Sequence, residues 1–247
     1  MAIRAVLFDL DDTLWKVGPP PNDWAEVTAL QAGEIGTEFE RLQDGQLNAV
    51  DFVRRFWRNW ADASAQPNPT FKELSGAEMM RDTLAYYGVK CSLDDGEHLW
   101  ERIHNVPFSH FNITEFPDAA RTVQALRTLG YRLAIVTNRP TPESTLRREI
   151  AAQGLPHVFD AIVTTGSVGY QKPHPLVFES AARLLGVRNG DAVVVGDSYE
   201  NDIIPASGLG MLPILKLNDR PHDPACVLAR HQVATLDALL QLDLFRR

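Results

Sequence analysis

The sequence predicts an α/β protein built on a parallel sheet, and three observations carry that prediction. Short, largely apolar runs recur along the chain, as strands buried on both faces require: Ala5-Val6-Leu7-Phe8, Leu133-Ala134-Ile135-Val136, Asp160-Ala161-Ile162-Val163, Ala192-Val193-Val194-Val195 and Ile214-Leu215-Lys216-Leu217. Amphipathic helical periodicity separates the later runs from one another. The punctuation between elements is short and rich in Gly and Pro. Alternating strands and helices of this kind imply a sheet covered on both faces.

The first run is followed by Asp9-Leu10-Asp11-Asp12-Thr13, where the backbone must turn, and Gly18-Pro19-Pro20-Pro21 then breaks the chain. From Lys16 to Glu115 the pattern is helical, with no convincing strand. Val50, Val53, Trp57 and Trp60 form one stripe over 47–61, widened by Phe52 and Phe56. Met80, Leu84 and Tyr87 form another, closed by Gly88, and Leu99, Trp100 and Ile103 a third. Gln66 to Pro69 reads as a loop. The expectation is a helical insertion over 16–115 that interrupts a sheet domain of 1–15 and 116–247, a size suited to a small domain. Hinges are expected near Trp15–Val17 and Thr114–Pro117.

In the second part of the chain, Pro117 can open a helix whose Ala120, Val123, Leu126 and Leu129 face one way, ending at Gly130. The next strand ends at Thr137-Asn138. A helix over 143–153 stops at Gly154, and 164–170 reads as a loop after the strand at 160–163. A helix over 175–185 stops at Gly186, and the following strand breaks at Gly196-Asp197. Pro205 implies that the helix after Asp202 is short or kinked. Thr235 can cap a last short helix through Leu242.

With 24 basic and 32 acidic residues among 247, the net charge is −8. That argues against nucleic acid or an anionic membrane as partner, since both need basic surface. A small anionic substrate is compatible, because a bound metal and one lysine invert the field locally. Cys91 and Cys226 are expected to be reduced thiols. The chain enters its first strand at once and no apolar run reaches membrane-spanning length, so a cytoplasmic protein without a signal peptide is expected.

Chemistry concentrates at strand ends. Consecutive parallel strands carry their carboxyl ends on one edge, where open α/β sheets bind ligands. That edge would receive Asp9 and Asp11, then Thr137 and Asn138, then Lys172, then Asp197 with Asp202. Two acids one residue apart repel unless a cation lies between them, which reads as a divalent-metal site holding a nucleophile. Taken singly, each piece has a plain structural reading: a helix cap for Asp11-Asp12-Thr13, a turn for Thr137-Asn138 or Gly196-Asp197, a solvated lysine for Lys172. The seven histidines lack metal-ligand spacing, and His174 between prolines is expected to be exposed. Arg54, Arg55 and Arg58 read as a solvated helix face, with Asp51 and Arg55 as an i,i+4 pair. Trp57, Trp60 and Trp100 read as core of the insertion.

In order and interval these motifs resemble the haloacid dehalogenase superfamily, in its phosphatase branch with a helical cap after the first strand. Asp9-Leu10-Asp11-Asp12-Thr13 is similar to the first motif, Thr137 to the second, and Lys172 in Lys172-Pro173-His174-Pro175 to the third. Gly196-Asp197-Ser198-Tyr199-Glu200-Asn201-Asp202 is similar to the fourth. The resemblance implies a Rossmann-like core with an inserted α-helical cap domain, and a Mg²⁺-dependent phosphatase acting on a small phosphorylated metabolite. It implies Asp9 as nucleophile, Asp11 as general acid and base, and Thr137, Asn138 and Lys172 as phosphate-binding groups. Mg²⁺ would be held by Asp9, the main-chain carbonyl of Asp11 and Asp197, with Asp202 as further ligand or orienter. Phosphosugar mutase activity fits the same acids. Dehalogenation or carbon–phosphorus cleavage fits less well, because relatives with those activities lack an acid at the position of Asp11. A receiver-like phosphoacceptor that does not turn over remains the non-enzymatic alternative. Monomer and homodimer are both open.

Overall fold

The computed structural model describes residues 2–19, 23–43, 47–106, 111–155 and 157–245. In chain order the strands are β1 (Ala5–Phe8), β2 (Trp15–Val17), β3 (Ile113–Glu115), β4 (Arg132–Thr137), β5 (Ala161–Thr164), β6 (Ala192–Gly196), β7 (Leu212–Lys216) and β8 (His231–Val233). Six of them form a parallel sheet in the order β5-β4-β1-β6-β7-β8, and β2 pairs with β3 as a separate antiparallel ribbon. Leu7 of β1 lies opposite Ala134 of β4 on one side and Val194 of β6 on the other. From β1 the chain builds outward through β4 and β5, then crosses to β6. That reversal of strand order is where an open α/β sheet forms its ligand crevice.

Among the described residues, four helices lie between β2 and β3: α1 (Trp24–Gln43), α2 (Ala49–Ser64), α3 (Gly76–Tyr86) and α4 (Leu93–Ile103). They enclose a core of their own, in which Phe39, Phe52, Phe56, Met80, Leu84 and Ile103 are buried. The indoles of Trp60 and Trp100 stack 5.1 Å apart on that core. Gly76 lets α3 meet α4, because a Cβ there would lie 2.1 Å from the Trp100 ring. Gly76→Ala is therefore expected to cost about 2–3 kcal/mol through overpacking. Thermal unfolding should register a fall of roughly 5–10 °C, and an unchanged midpoint would contradict this packing.

The sheet is covered on both faces. Val6 and Phe8 of β1 pack with α5 (Ala119–Thr128) and α6 (Glu143–Ala152), whereas Ala5 and Leu7 face the opposite layer. After the one-turn α7 (Thr165–Val168), that second layer is formed by α8 (Pro175–Leu184) and α9 (Ile204–Gly208). Burial on both sides is why β1, β4 and β6 read as unbroken apolar runs.

Several expectations are corrected. The segment expected to hold no strand carries β2 and β3 at its ends; each is three residues long, too short for alternation to show. The expected loop over 164–170 contains α7, nucleated by a reciprocal cap between Thr164 and Ser167. Thr235 does not cap a helix through Leu242: its hydroxyl donates to Asp237, and a short 3-10 helix spans Asp237–Gln241. Asp51 pairs with Arg54 at 3.7 Å, not with Arg55, whose guanidinium lies over the Tyr86 ring. The helix after Asp202 is interrupted as Pro205 implied, a π-type turn over Tyr199–Ile203 leading into α9. Pro20 and Pro21 of the expected break lie outside the described residues. Cys91 and Cys226 are free thiols.

Candidate active site

The amide of Asp9, just past β1, still donates to the Val195 carbonyl of β6 at 2.9 Å, so this residue is fixed at the sheet edge. Asp9 is only 7% exposed. Its Oδ2 accepts from the Thr13 hydroxyl at 2.8 Å, and its Oδ1 accepts from Lys172 Nζ at 2.6 Å. The same ammonium donates to Asp202 Oδ1 at 2.7 Å, and Asp202 Oδ2 accepts from the Ser198 amide at 3.1 Å. One oxygen from each of Asp9, Asp197 and Asp202 lies within 4.8 Å of the others. Gly196 makes this approach possible: a Cβ there would lie 2.3 Å from Asp202 Cγ.

Two buried carboxylates thus share one buried ammonium, and the half-buried Asp197, 3.5 Å from Arg220, lies beside them. Burial raises the pKa of Asp9, and the negative charge of Asp202 adds to the rise, although Lys172 opposes it. Burial would lower that of Lys172, but Asp202 and Asp9 together carry it above the ordinary lysine value. Burial, and then Asp9, raise that of Asp197 against the pull of Arg220. Three carboxylates this close repel one another and are relieved by a cation, and an all-oxygen donor set suits a hard divalent ion such as Mg²⁺. The residues present therefore fit the metal.

Thr137 closes β4 at the same edge. It is buried, and its hydroxyl has no hydrogen-bond partner among the described residues, so it can donate to an incoming oxyanion. Asn138 instead clamps the backbone of Lys172: its Oδ1 accepts from the Lys172 amide at 2.7 Å and its Nδ2 donates to the Lys172 carbonyl at 3.4 Å. Its side chain therefore orients the lysine. His174 is half-buried where exposure was expected. Its Nδ1 accepts from the Leu176 amide at 3.3 Å, and its ring stacks on Tyr170.

Asp11 stands apart from the carboxylate cluster. Arg139 Nε donates to both its oxygens (3.1 and 2.9 Å), Arg139 Nη2 to Oδ1 at 2.7 Å, and Trp15 Nε1 to Oδ1 at 2.7 Å. Burial alone would raise its pKa, yet the Arg139 hydrogen bonds and charge bring it below the usual carboxylate range. Any contribution of Asp11 to the metal falls to its main chain. Sequence reasoning passed over Arg139, although it directly follows Thr137-Asn138 at the same strand end. It also passed over Glu149, whose only signal was a polar residue on the inner side of α6.

Arg139 forms part of the wall of a cavity of about 280 Å³ between the helical cluster and the sheet edge. His104, also in that wall, is half-buried and its Nδ1 donates to the Trp100 carbonyl at 2.7 Å. Burial brings its pKa down to about 4 from 6.5, and Arg139 adds to the fall against the Trp100 bond. The neutral imidazole thus contributes stability that is complete above pH 6.5 and lost as pH falls through 4. At pH 4.5 that loss amounts to roughly 2–3 kcal/mol. Denaturant midpoints at pH 7 and 4.5 should differ less in His104→Gln than in the wild type; equal differences would refute the assignment.

Residues 3–210 match the haloacid dehalogenase-like hydrolase family. The glyceraldehyde 3-phosphate phosphatase of Methanopyrus kandleri is 32% identical over 222 residues, covering 86% of this chain and 83% of that protein. The ribulose-1,5-bisphosphate 5-phosphatase of Halopiger xanaduensis is 28% identical over 212 residues, covering 85% and 83%. The crystal structure of a phosphatase of this family from Thermococcus onnurineus superposes with a TM-score of 0.55 at 23% identity, covering 97% of each chain, a likeness of fold. Among the described residues, no helix is long and apolar enough to cross a membrane.

Proposed function

This chain belongs to the haloacid dehalogenase-like hydrolases and is a phosphoric monoester hydrolase of that family; from that premise we propose a Mg²⁺-dependent phosphatase that works through an aspartyl-phosphate on Asp9. The observation that supports this most is the meeting of Asp9, Asp197 and Asp202, the first and last of them sharing the buried Lys172 ammonium, with the Thr137 hydroxyl, unpartnered among the described residues, at the same sheet edge. Substrates of the two relatives described above are small phosphorylated metabolites, and the proposal takes that class for this chain.

A phosphate monoester dianion resists attack by a carboxylate until its charge is offset. Lys172 offsets charge on the phosphoryl oxygens, and the Thr137 hydroxyl donates to one of them. Asp9, Asp197 and Asp202, with the Asp11 carbonyl, would hold Mg²⁺, which when bound supplies further charge neutralisation at the phosphoryl group. An Asp9 oxygen forms a bond to phosphorus while the bond to the leaving oxygen breaks. Asp11 gives the leaving oxygen a proton, then takes one from the water that attacks the acyl phosphate. Arg139 must release Asp11 for either transfer, since the paired carboxylate is held ionised. The helical segment 16–115 would act as a cap over 1–15 and 116–247, excluding bulk water.

The test is phosphate release from a panel of phosphomonoesters with and without Mg²⁺. Turnover that needs the metal supports the proposal. Turnover unaffected by exhaustive chelation, or its absence across the panel, would refute it.

A further inference from the structure

The cavity beside Arg139 has walls of two kinds. Trp24, Trp57 and Ile103 from the helical cluster, with Val17 and Ile113 of the β2–β3 ribbon, give it an apolar lining. The polar groups on the helical side satisfy one another: Trp57 Nε1 donates to Gln31 Oε1 at 2.8 Å, and Gln31 Nε2 donates to the Ile103 carbonyl at 3.3 Å. On the sheet side Arg139 is engaged by Asp11. Glu149 differs. Its Oε2 is buried with no hydrogen-bond partner among the described residues, and the nearest guanidinium nitrogen, Arg139 Nη1, is 3.7 Å away.

Glu149 lines the cavity with a carboxylate that keeps one long ion pair to Arg139 and leaves Oε2 without a hydrogen bond among the described residues, a costly state that a ligand donor relieves. The volume sets the size. A cavity of about 150 Å³ holds benzene, so 280 Å³ accommodates one substituted ring. Asp11 sets the position, because the group that protonates a leaving oxygen must lie beside it, and Arg139 joins Asp11 to this cavity.

We infer that the cavity receives the leaving group of the substrate and selects the phosphomonoester of a largely apolar, ring-sized alcohol whose remote hydroxyl or amine donates to Glu149. The inference rests on the phosphatase reading above. It sets this chain apart from a protein built for polyhydroxylated substrates. A sugar-like leaving group would bring several hydroxyls to apolar walls, and each one left unpaired weakens binding by roughly ten- to a hundredfold.

Two measurements on the whole chain test it. First, quenching of tryptophan fluorescence, reported by Trp24 and Trp57, measures binding of para-(hydroxymethyl)benzyl alcohol, benzyl alcohol and glycerol without any turnover. The ring diol should bind best, with glycerol at least about tenfold weaker. Glu149→Leu should lose the advantage of the diol over benzyl alcohol, about tenfold, while Glu149→Gln, which keeps an acceptor, should retain it. Second, kcat/KM is compared for para-(hydroxymethyl)benzyl phosphate and glycerol phosphate with Mg²⁺, where the ring ester should lead by at least tenfold. Glycerol binding as well as the diol, or glycerol phosphate turning over as well as the ring ester, overturns the inference. So does an unchanged preference in Glu149→Leu. Diol binding with phosphate released from neither ester while other phosphomonoesters of the panel turn over overturns the leaving-group assignment alone; release from no phosphomonoester at all overturns the phosphatase reading, and the assignment falls with it.

Discussion

Asp9→Asn is expected to abolish phosphate release while leaving the fold intact. Asparagine has the shape of aspartate, and its carbonyl oxygen can still accept from Lys172 Nζ, which donates to Asp9 Oδ1 at 2.6 Å. What it lacks is the anionic oxygen that attacks phosphorus, so kcat should fall on the order of 10⁴-fold or more. Stability should hold or rise. Burial and Asp202 make the ionised Asp9 carboxylate unfavourable in the fold, and the amide removes one negative charge from a cluster that holds three carboxylates. Initial rates and thermal midpoints measured together check both halves. A variant that keeps a hundredth of the wild-type rate would exclude Asp9 as nucleophile.

Lys172→Met should damage activity and stability together, in contrast to Asp9→Asn. The ammonium is buried between Asp9 and Asp202 at 2.6 and 2.7 Å. Its loss leaves two buried carboxylates facing one another, and breaking a buried pair from one side costs about 3–5 kcal/mol. For a chain of this length that lowers the thermal midpoint by roughly 10 °C. Turnover should drop by about 10²–10³-fold, as for other groups that stabilise charge in the transition state. Mg²⁺ should return part of the lost stability, since a cation among the carboxylates replaces some of the missing charge. Full stability without Mg²⁺ would show that the lysine does not hold the cluster together.

How far this was legible in the sequence follows from which interactions are local. β1, β4 and β6 could be read because burial on both faces writes itself as a continuous apolar run. Their carboxyl ends place Asp9, Thr137 and Asp197 on one edge from the sequence alone. The β2–β3 ribbon could not be read: Trp15 pairs with Glu115 across the entire helical segment, and three-residue strands carry no periodicity. β8 was missed for the same reason, being three residues at the sheet margin.

Within the site, residue types were legible and partnerships were not. The chain places Lys172 between Asp9 and Asp202, and spacing alone gives no sign that one ammonium serves both. Asn138 looked like a phosphate ligand because it follows Thr137, yet its side chain is spent on the Lys172 backbone. The Asp11 carboxylate reads as a general acid and base at the site, and the sequence gives no sign that Arg139 and Trp15 engage it. Each of these depends on side-chain direction at a strand end or turn, as at Asp11 beside the left-handed Asp12, and no periodicity encodes it.

The most direct test of the account is to trap the intermediate. Wild-type protein is mixed with Mg²⁺ and a phosphomonoester that it turns over, quenched within a single turnover, and reduced with borohydride, which converts an aspartyl-phosphate to homoserine. Peptide mass spectrometry then reads residue 9. Homoserine at position 9, absent from Asp9→Asn and from samples without substrate, is the expected result. Steady phosphate release with aspartate unmodified at position 9, or homoserine at another residue, would contradict the central claim that Asp9 carries the phosphoryl group.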